Sequence, residues 1–313
     1  MTGLLLHAAL ILTVVGALTS ALVGAVAIAR ELRGGPLVNA ALWAPPAVAL
    51  AVLAAVLLPH ALFGLPDHCL HHPDHHLHLC LLHGAPMPAP PLAAVALLGL
   101  TFASWHVARA LVGLFASARS VRRLRRSGRT EGDLSVLPGS EPLAFVAGLL
   151  WPRVFVSEGV LAEPERWAAV IAHERAHARR RDPLRRWLSA LAAAFHWPPV
   201  SRRLRTVLAE AQELGADQAA ARALGDPLRV AEAIVDWSRT LRDSQASGEL
   251  ALTFGAGPIR RRVLALTTPQ PTNRLSRPLQ GLGALAVGVT VLALVGRAPE
   301  LHHSAETLLS LFG

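Results

Sequence analysis

The sequence predicts a mainly α-helical membrane protein: four transmembrane helices, with a cytoplasmic α+β domain inserted between the third and the fourth. Three observations predict it. The chain is 52% hydrophobic and only 16% charged, far from the soluble average on both counts. Four runs of roughly the ~20 residues needed to cross a bilayer have no charge at their centres. The basic residues, 30 in number and all arginine, crowd into particular intervals between those runs. Arg30 and Arg33 occupy the short first loop, and the long segment 117–278 holds most of the others. The loop 60–91 and the first residues of the chain have none. The positive-inside rule then puts the N terminus outside, the segment 117–278 in the cytoplasm and the short C-terminal tail outside.

The first span covers 4–29, "LLLHAALILTVVGALTSALVGAVAIA". No arginine precedes it, so it lacks the basic n-region of a cleaved signal peptide. The second, about 37–58, contains Pro45 and Pro46, which a spanning helix tolerates when its surroundings satisfy the freed carbonyls. The third runs from about 92 to 116, with Arg109 near its end and able to snorkel. The fourth, "LQGLGALAVGVTVLALVG", covers 279–296. The predicted division is therefore a membrane domain over 1–117, a cytoplasmic domain over 118–278, and a last span with its tail over 279–313. The net charge of +9 follows this topology. "RRLRRSGR" at 122–129 reads as a juxtamembrane anchor on anionic lipid, so the bilayer is the expected partner and direct nucleic-acid binding is not expected. Two cysteines exclude a disulfide scaffold.

Within the cytoplasmic segment, "LAFVAGLLWPRVFVSEGVL" (143–161) reads as two short strands broken at Trp151-Pro152. Glu163-Pro164 then begins a helix, with Pro at its first position. It should run to about Arg181, where three arginines suit the negative end of the helix dipole. Asp182-Pro183 ends it and can cap the next helix. That first helix carries His173, Glu174 and His177 in the order H-E-x-x-H. Residues four apart lie one above the other on a helix face, so both imidazoles can reach one ion. Zn²⁺ accepts neutral imidazole, and a reactive site needs a third protein ligand and an open position. Water activated there has a pKa near 7, and Glu174 is placed to take its proton. Downstream, "LAEAQELGADQAAARAL" (208–224) is an amphipathic helical stretch offering Glu210, Glu213 and Asp217. Spacing alone leaves the third ligand open among them, with another acid free to orient a histidine.

Four ordered motifs, "AVIAHERAHARRRDPL", "FHWPPV", "ELGAD" and "GPIRRRVLAL" followed by a last apolar run, resemble the BlaR/MecR-type membrane zinc metallopeptidases. The resemblance implies a gluzincin-like peptidase domain between the third and fourth spans, with Zn²⁺ as cofactor. It implies His173, His177 and Glu213 as ligands, Glu174 as general base and Asp217 as support for a ligand histidine. It also implies that the strand around "RVFVSEG" lies beside the cleft, where an extended substrate pairs with it. The substrate so implied is a cytoplasmic protein, a transcriptional repressor or a regulator of one. His196 in "FHWPPV" reads as a packing or membrane-surface residue rather than an oxyanion donor. Trp187 and Trp197 read as core or interfacial anchors.

The antibiotic sensors of that family add an outer penicillin-binding domain with a Ser-x-x-Lys motif. Only a short segment follows the fourth span here, and the chain has no lysine, so β-lactam sensing by that chemistry is not expected. The outer loop instead carries "PDHCLHHPDHHLHLCLLHG" at 66–84. His68, Cys69, His71, His72, His75, His76, His78 and Cys80 form a second candidate metal site. A Cys69–Cys80 disulfide and a plain polar tether are the competing readings. Two other functions remain on the sequence alone: an HtpX-like or CAAX-processing protease, which shares H-E-x-x-H, and a metal receptor or transporter using the outer histidines. Transport is disfavoured because no span core carries paired acids or clustered histidines.

Overall fold

The computed structural model of the chain describes residues 2–29, 36–57, 87–244 and 259–268, with scattered positions between 285 and 308. It is mainly helical and divides into two compact units. One comprises 1–108, 190–204 and 274–313; the other comprises 109–189 and 205–273.

In the first unit, α1 (Thr2–Ala29) and α2 (Pro36–Leu57) pack against each other. The helix α3 (Pro90–Ser127) begins here, where Ala96 meets Leu6, Ala9 and Leu10 of α1. These three helices are long and apolar enough to cross a membrane. Large apolar side chains stand on their outer faces, among them Leu18, Leu22, Leu98 and Val112, a distribution suited to lipid. Polar groups inside them are satisfied locally. Thr13, Thr19 and Thr101 each donate a hydroxyl to the carbonyl four residues back, removing the cost of an unpaired donor in hydrocarbon. Helix α2 continues through Pro45 and Pro46. Only scattered helical positions of the expected fourth span are described.

The segment 190–204 belongs to this unit although its sequence lies inside the predicted cytoplasmic domain. Three small residues of α1, spaced by four, accept it. A Cβ on Gly16 would touch Phe195 at 3.5 Å, and one on Gly24 would meet Val200 at 2.8 Å. Between them the buried Ser20 hydroxyl lies 3.2 Å from His196 Nδ1 and accepts the Trp197 N–H at 3.0 Å. His196 Nε2 lies 3.1 Å from the Leu42 carbonyl of α2, and Trp197 Nε1 donates to the Ala17 carbonyl. His196 is thus a packing residue.

The second unit contains a four-stranded sheet in the order β1-β2-β4-β3. Its strands are β1 (Arg129–Glu131), β2 (Leu134–Leu137), β3 (Ala144–Ala147) and β4 (Arg153–Ser157). β2 runs parallel to β4, while β1–β2 and β3–β4 are antiparallel. The β3–β4 hairpin is the expected pair of strands broken at Trp151-Pro152. Its turn needs Gly148 at φ 106°, where a Cβ would strike the Trp151 carbonyl. After a short helix α4 (Glu158–Ala162) comes α5 (Pro164–Arg180), with proline at its first position. α5 packs on β3 and β4 on one side and on α8 (Pro227–Ser244) on the other. Val154, Val156, Val160, Trp167, Val170, Val230, Ile234 and Trp237 fill the core between them. The Trp167 and Trp237 rings meet edge to face at 5.1 Å, a geometry their quadrupoles favour. α6 (Asp182–Ala192), α7 (Pro198–Leu224) and α9 (Ile259–Thr267) complete the described helices of the chain's central region.

The sheet order corrects one expectation. The strand carrying "RVFVSEG", β4, is hydrogen-bonded on both sides by β2 and β3, so it offers no open edge to an extended peptide. The edge strands are β1 and β3.

Candidate metal centre

Helix α5 buries the side chosen by its apolar pattern: Trp167, Val170, Ile171, His173, Glu174 and His177. The imidazoles of His173 and His177 lie one turn apart on that face, with Nε2 atoms 3.0 Å from each other. Glu213, from the middle of α7, approaches both. Its Oε2 is 3.4 Å from His173 Nε2 and its Oε1 is 3.5 Å from His177 Nε2. One ligand atom from each of these three buried residues lies within 4.8 Å of the other two.

The opposite ring nitrogens are already committed. His173 Nδ1 lies 2.8 Å from Asp217 Oδ1, and His177 Nδ1 lies 2.7 Å from Asp182 Oδ2. A carboxylate at Nδ1 holds the proton there and turns the Nε2 lone pair toward the shared point. Two such nitrogens facing each other at hydrogen-bond distance, beside a carboxylate, form a donor set that fits a tetrahedral divalent ion. Glu213 Oε2 adds to the fit: it is buried without a hydrogen bond, a costly state for a carboxylate oxygen that coordination would relieve.

Burial opposes the charged form of His177, but Asp182 and Glu213 outweigh it and push its pKa up to about 9. Burial likewise works against ionised Glu213, yet the two histidines hold its carboxyl well below the usual range. Glu174 is shifted the other way. Its removal from water raises its pKa, with His173 and His177 only partly offsetting the effect. Asp217 remains depressed despite burial because Arg262, from α9, grips it with two hydrogen bonds of 2.8 and 2.6 Å. A cavity of about 30 Å³ lined by Val146, Glu174, His177, Asp182, Pro183, Arg186 and Glu213 opens onto this cluster. That is room for a water molecule.

The structure thus brings His173, Glu174, His177, Glu213 and Asp217 together. Glu210 is not part of the cluster and pairs with Arg261. Trp187 donates its indole N–H to the Ala110 carbonyl. His68, Cys69, His71, His72, His75, His76, His78 and Cys80 lie outside the described residues.

Three contributors escape a reading by spacing. Asp182 looks like a helix stop, and it does begin α6. Its carboxylate goes to His177 and to Arg180 at 3.2 Å rather than to a capping bond. Arg186 reaches Glu213 Oε1 at 2.9 Å and the Gln212 side-chain carbonyl at 2.7 Å. Arg262 is buried behind Asp217. In sequence it is one of three consecutive arginines in the motif "GPIRRRVLAL", and nothing in the spacing says which of the three turns inward.

The family model for the BlaR1 peptidase, M56, matches residues 101–266. The match begins within the third apolar helix and ends on the helix that carries Arg262. No curated protein and no solved structure matches the chain. More than half of the sequence, the ligand cluster and its supporting acids all fall inside the matched interval, and the chain belongs to the BlaR1 peptidase family M56, membrane-associated metallopeptidases.

Proposed function

We propose that the chain is an integral-membrane zinc endopeptidase that hydrolyses peptide bonds of a cytoplasmic protein. The observation that carries this reading is the convergence of His173, His177 and Glu213 to within 4.8 Å, with Glu174 lining the same cavity. His173, His177 and Glu213 hold the ion, and Asp217 and Asp182 fix the two rings in the ligating tautomer. When bound, Zn²⁺ supplies Lewis-acid polarisation of the scissile carbonyl and lowers the pKa of the attacking water. Glu174 takes the proton of that water and delivers it to the leaving amine. Its raised pKa suits a group that must both accept and release a proton near neutrality. An extended substrate pairs with β3, the edge strand whose Val146 lines the cavity.

Arginine distribution supports four spans with both termini outside and the peptidase domain in the cytoplasm. The family membership supports a transcriptional repressor, or a regulator of one, as the substrate in transmembrane signalling. The test compares cells carrying the wild-type chain with cells carrying Glu174→Gln. N-terminal proteomics of the cytoplasm should yield new fragments only with the wild type, while the variant retains its zinc. Identical fragment sets from the two strains would dispose of the endopeptidase reading.

A further inference from the structure

Attack of water on a peptide carbonyl leaves a full negative charge on the former carbonyl oxygen. As the C–O bond forms and the π bond opens, a fixed donor that meets that oxyanion adds to the metal's polarisation of it. The chain contains no tyrosine, which removes the phenol as a donor. His196 has both ring nitrogens engaged, by Ser20 and by the Leu42 carbonyl. Arg262 is buried and engaged by Asp217 through two hydrogen bonds, with Nη1 3.6 Å from Glu213 Oε2, and it does not line the cavity. Among the described residues, the one arginine that lines the cavity with Glu174, His177 and Glu213 is Arg186.

Arg186 is built for the task in three respects. Its Nε and Nη2 are anchored, to Gln212 at 2.7 Å and to Glu213 at 2.9 Å, so the guanidinium plane is fixed before substrate arrives. A guanidinium has five N–H groups, and these two bonds leave three without a partner among the described residues. Its side chain is 42% exposed, so those groups face solvent and cavity rather than the core. An anchored, delocalised cation that cannot lose its proton is well suited to charge appearing only in the transition state.

Resting on the peptidase reading above, the geometry assigns Arg186 as the oxyanion-stabilising catalytic residue. Water's oxygen bonds to the carbonyl carbon, Glu174 receives the proton, and the two carbonyl electrons settle on the oxygen facing Arg186. They return as the C–N bond breaks, and Glu174 protonates the departing amine. The competing role is purely positional: Arg186 would do no more than hold Glu213.

The experiment uses the full chain in nanodiscs, zinc-loaded, as wild type, Arg186→Met and Arg186→Lys. Three quantities are measured: zinc affinity, kcat and KM on the best-cleaved member of a peptide library, and the affinity of a phosphinic tetrapeptide, acetyl-Ala-Phe-(PO2-CH2)-Leu-Ala-amide. Its amide counterpart, bound to the Glu174→Gln chain with and without Arg186→Met, serves as the ground-state reference. In Arg186→Met, kcat should fall by about 10²–10³-fold, with KM and zinc affinity changed by less than about threefold. Phosphinic affinity should fall in step with kcat/KM while amide affinity holds. Arg186→Lys should lie between. Unchanged kcat, or a loss that simply tracks lost zinc, overturns the assignment. If the wild type cleaves nothing in the library, the peptidase reading fails on its own. The phosphinic arm still decides for Arg186: equal affinity for wild type and Arg186→Met rejects it, and selective weakening supports it.

Discussion

On the proposed zinc-peptidase reading, the metal ion and a proton compete for His177. Asp182 and Glu213 hold its imidazolium up to about 9, above the ordinary histidine value of about 6.5. The protonated ring therefore stabilises the metal-free fold fully below pH 6.5, and that contribution is lost as the pH rises through 9. Only the neutral ring coordinates, so zinc binding must expel this proton. The expected result is a zinc affinity that climbs by roughly tenfold per pH unit between 6.5 and 9 and then levels. Competition against a fluorescent zinc chelator across that interval measures it; a flat profile would contradict the pairing of His177 with Asp182. The His-Glu-x-x-His spacing was legible because helix geometry alone puts positions i and i+4 on one face. By spacing Glu213 was legible only as one of three acids, since the choice depends on how far α7 is rotated when it packs; the family resemblance singled it out. Asp182 and Arg186 lie beyond a helix break, and no periodicity crosses such a break.

At the scale of elements, the junction of α5 and α6 stores a removable cost. Arg181 caps α5 in the left-handed region at φ 53°, ψ 42°, and its N–H closes the helix onto the Ala178 and His177 carbonyls. Its side chain is exposed, so replacing it forfeits no packing. Arg181→Gly is expected to stabilise the unit by about 1 kcal/mol, read as a raised thermal midpoint with zinc affinity unchanged. The β3–β4 hairpin and the start of α5 were readable from alternation, a Trp-Pro break and a proline at a first helical position. The β1–β2 pair was not, because three- and four-residue strands directly after an arginine run carry too little pattern. Pairing order escaped as well. Nothing local in "AFVA" or "RVFVS" says which of the two strands will be at an edge; the structure leaves β3 open and pairs β4 on both sides.

For the whole molecule, composition groups 118–278 together, while the contacts of 190–204 group that stretch with 1–108 and 274–313. Composition separates the apolar runs from the arginine-rich segment, and by that criterion "FHWPPV" is cytoplasmic. Composition cannot register that Gly16, Ser20 and Gly24 form a track fitted to Phe195, His196 and Val200. A fragment cut at 118–278 along the compositional border would retain every metal ligand while stripping Ser20 and Leu42 from His196 and baring Phe195. Such a fragment is expected to be recovered aggregated, whereas the intact chain in detergent runs as a discrete species; size-exclusion chromatography distinguishes the two. The stretch in question is also the sole link between α6, which supplies Asp182 and Arg186, and α7, which supplies Glu213 and Asp217. Evolution of this chain toward a form without its apolar helices would thus require re-tailoring that connection first, because the same few residues are seated on α1 and tether, in sequence, the helix bearing Asp182 to the helix bearing Glu213.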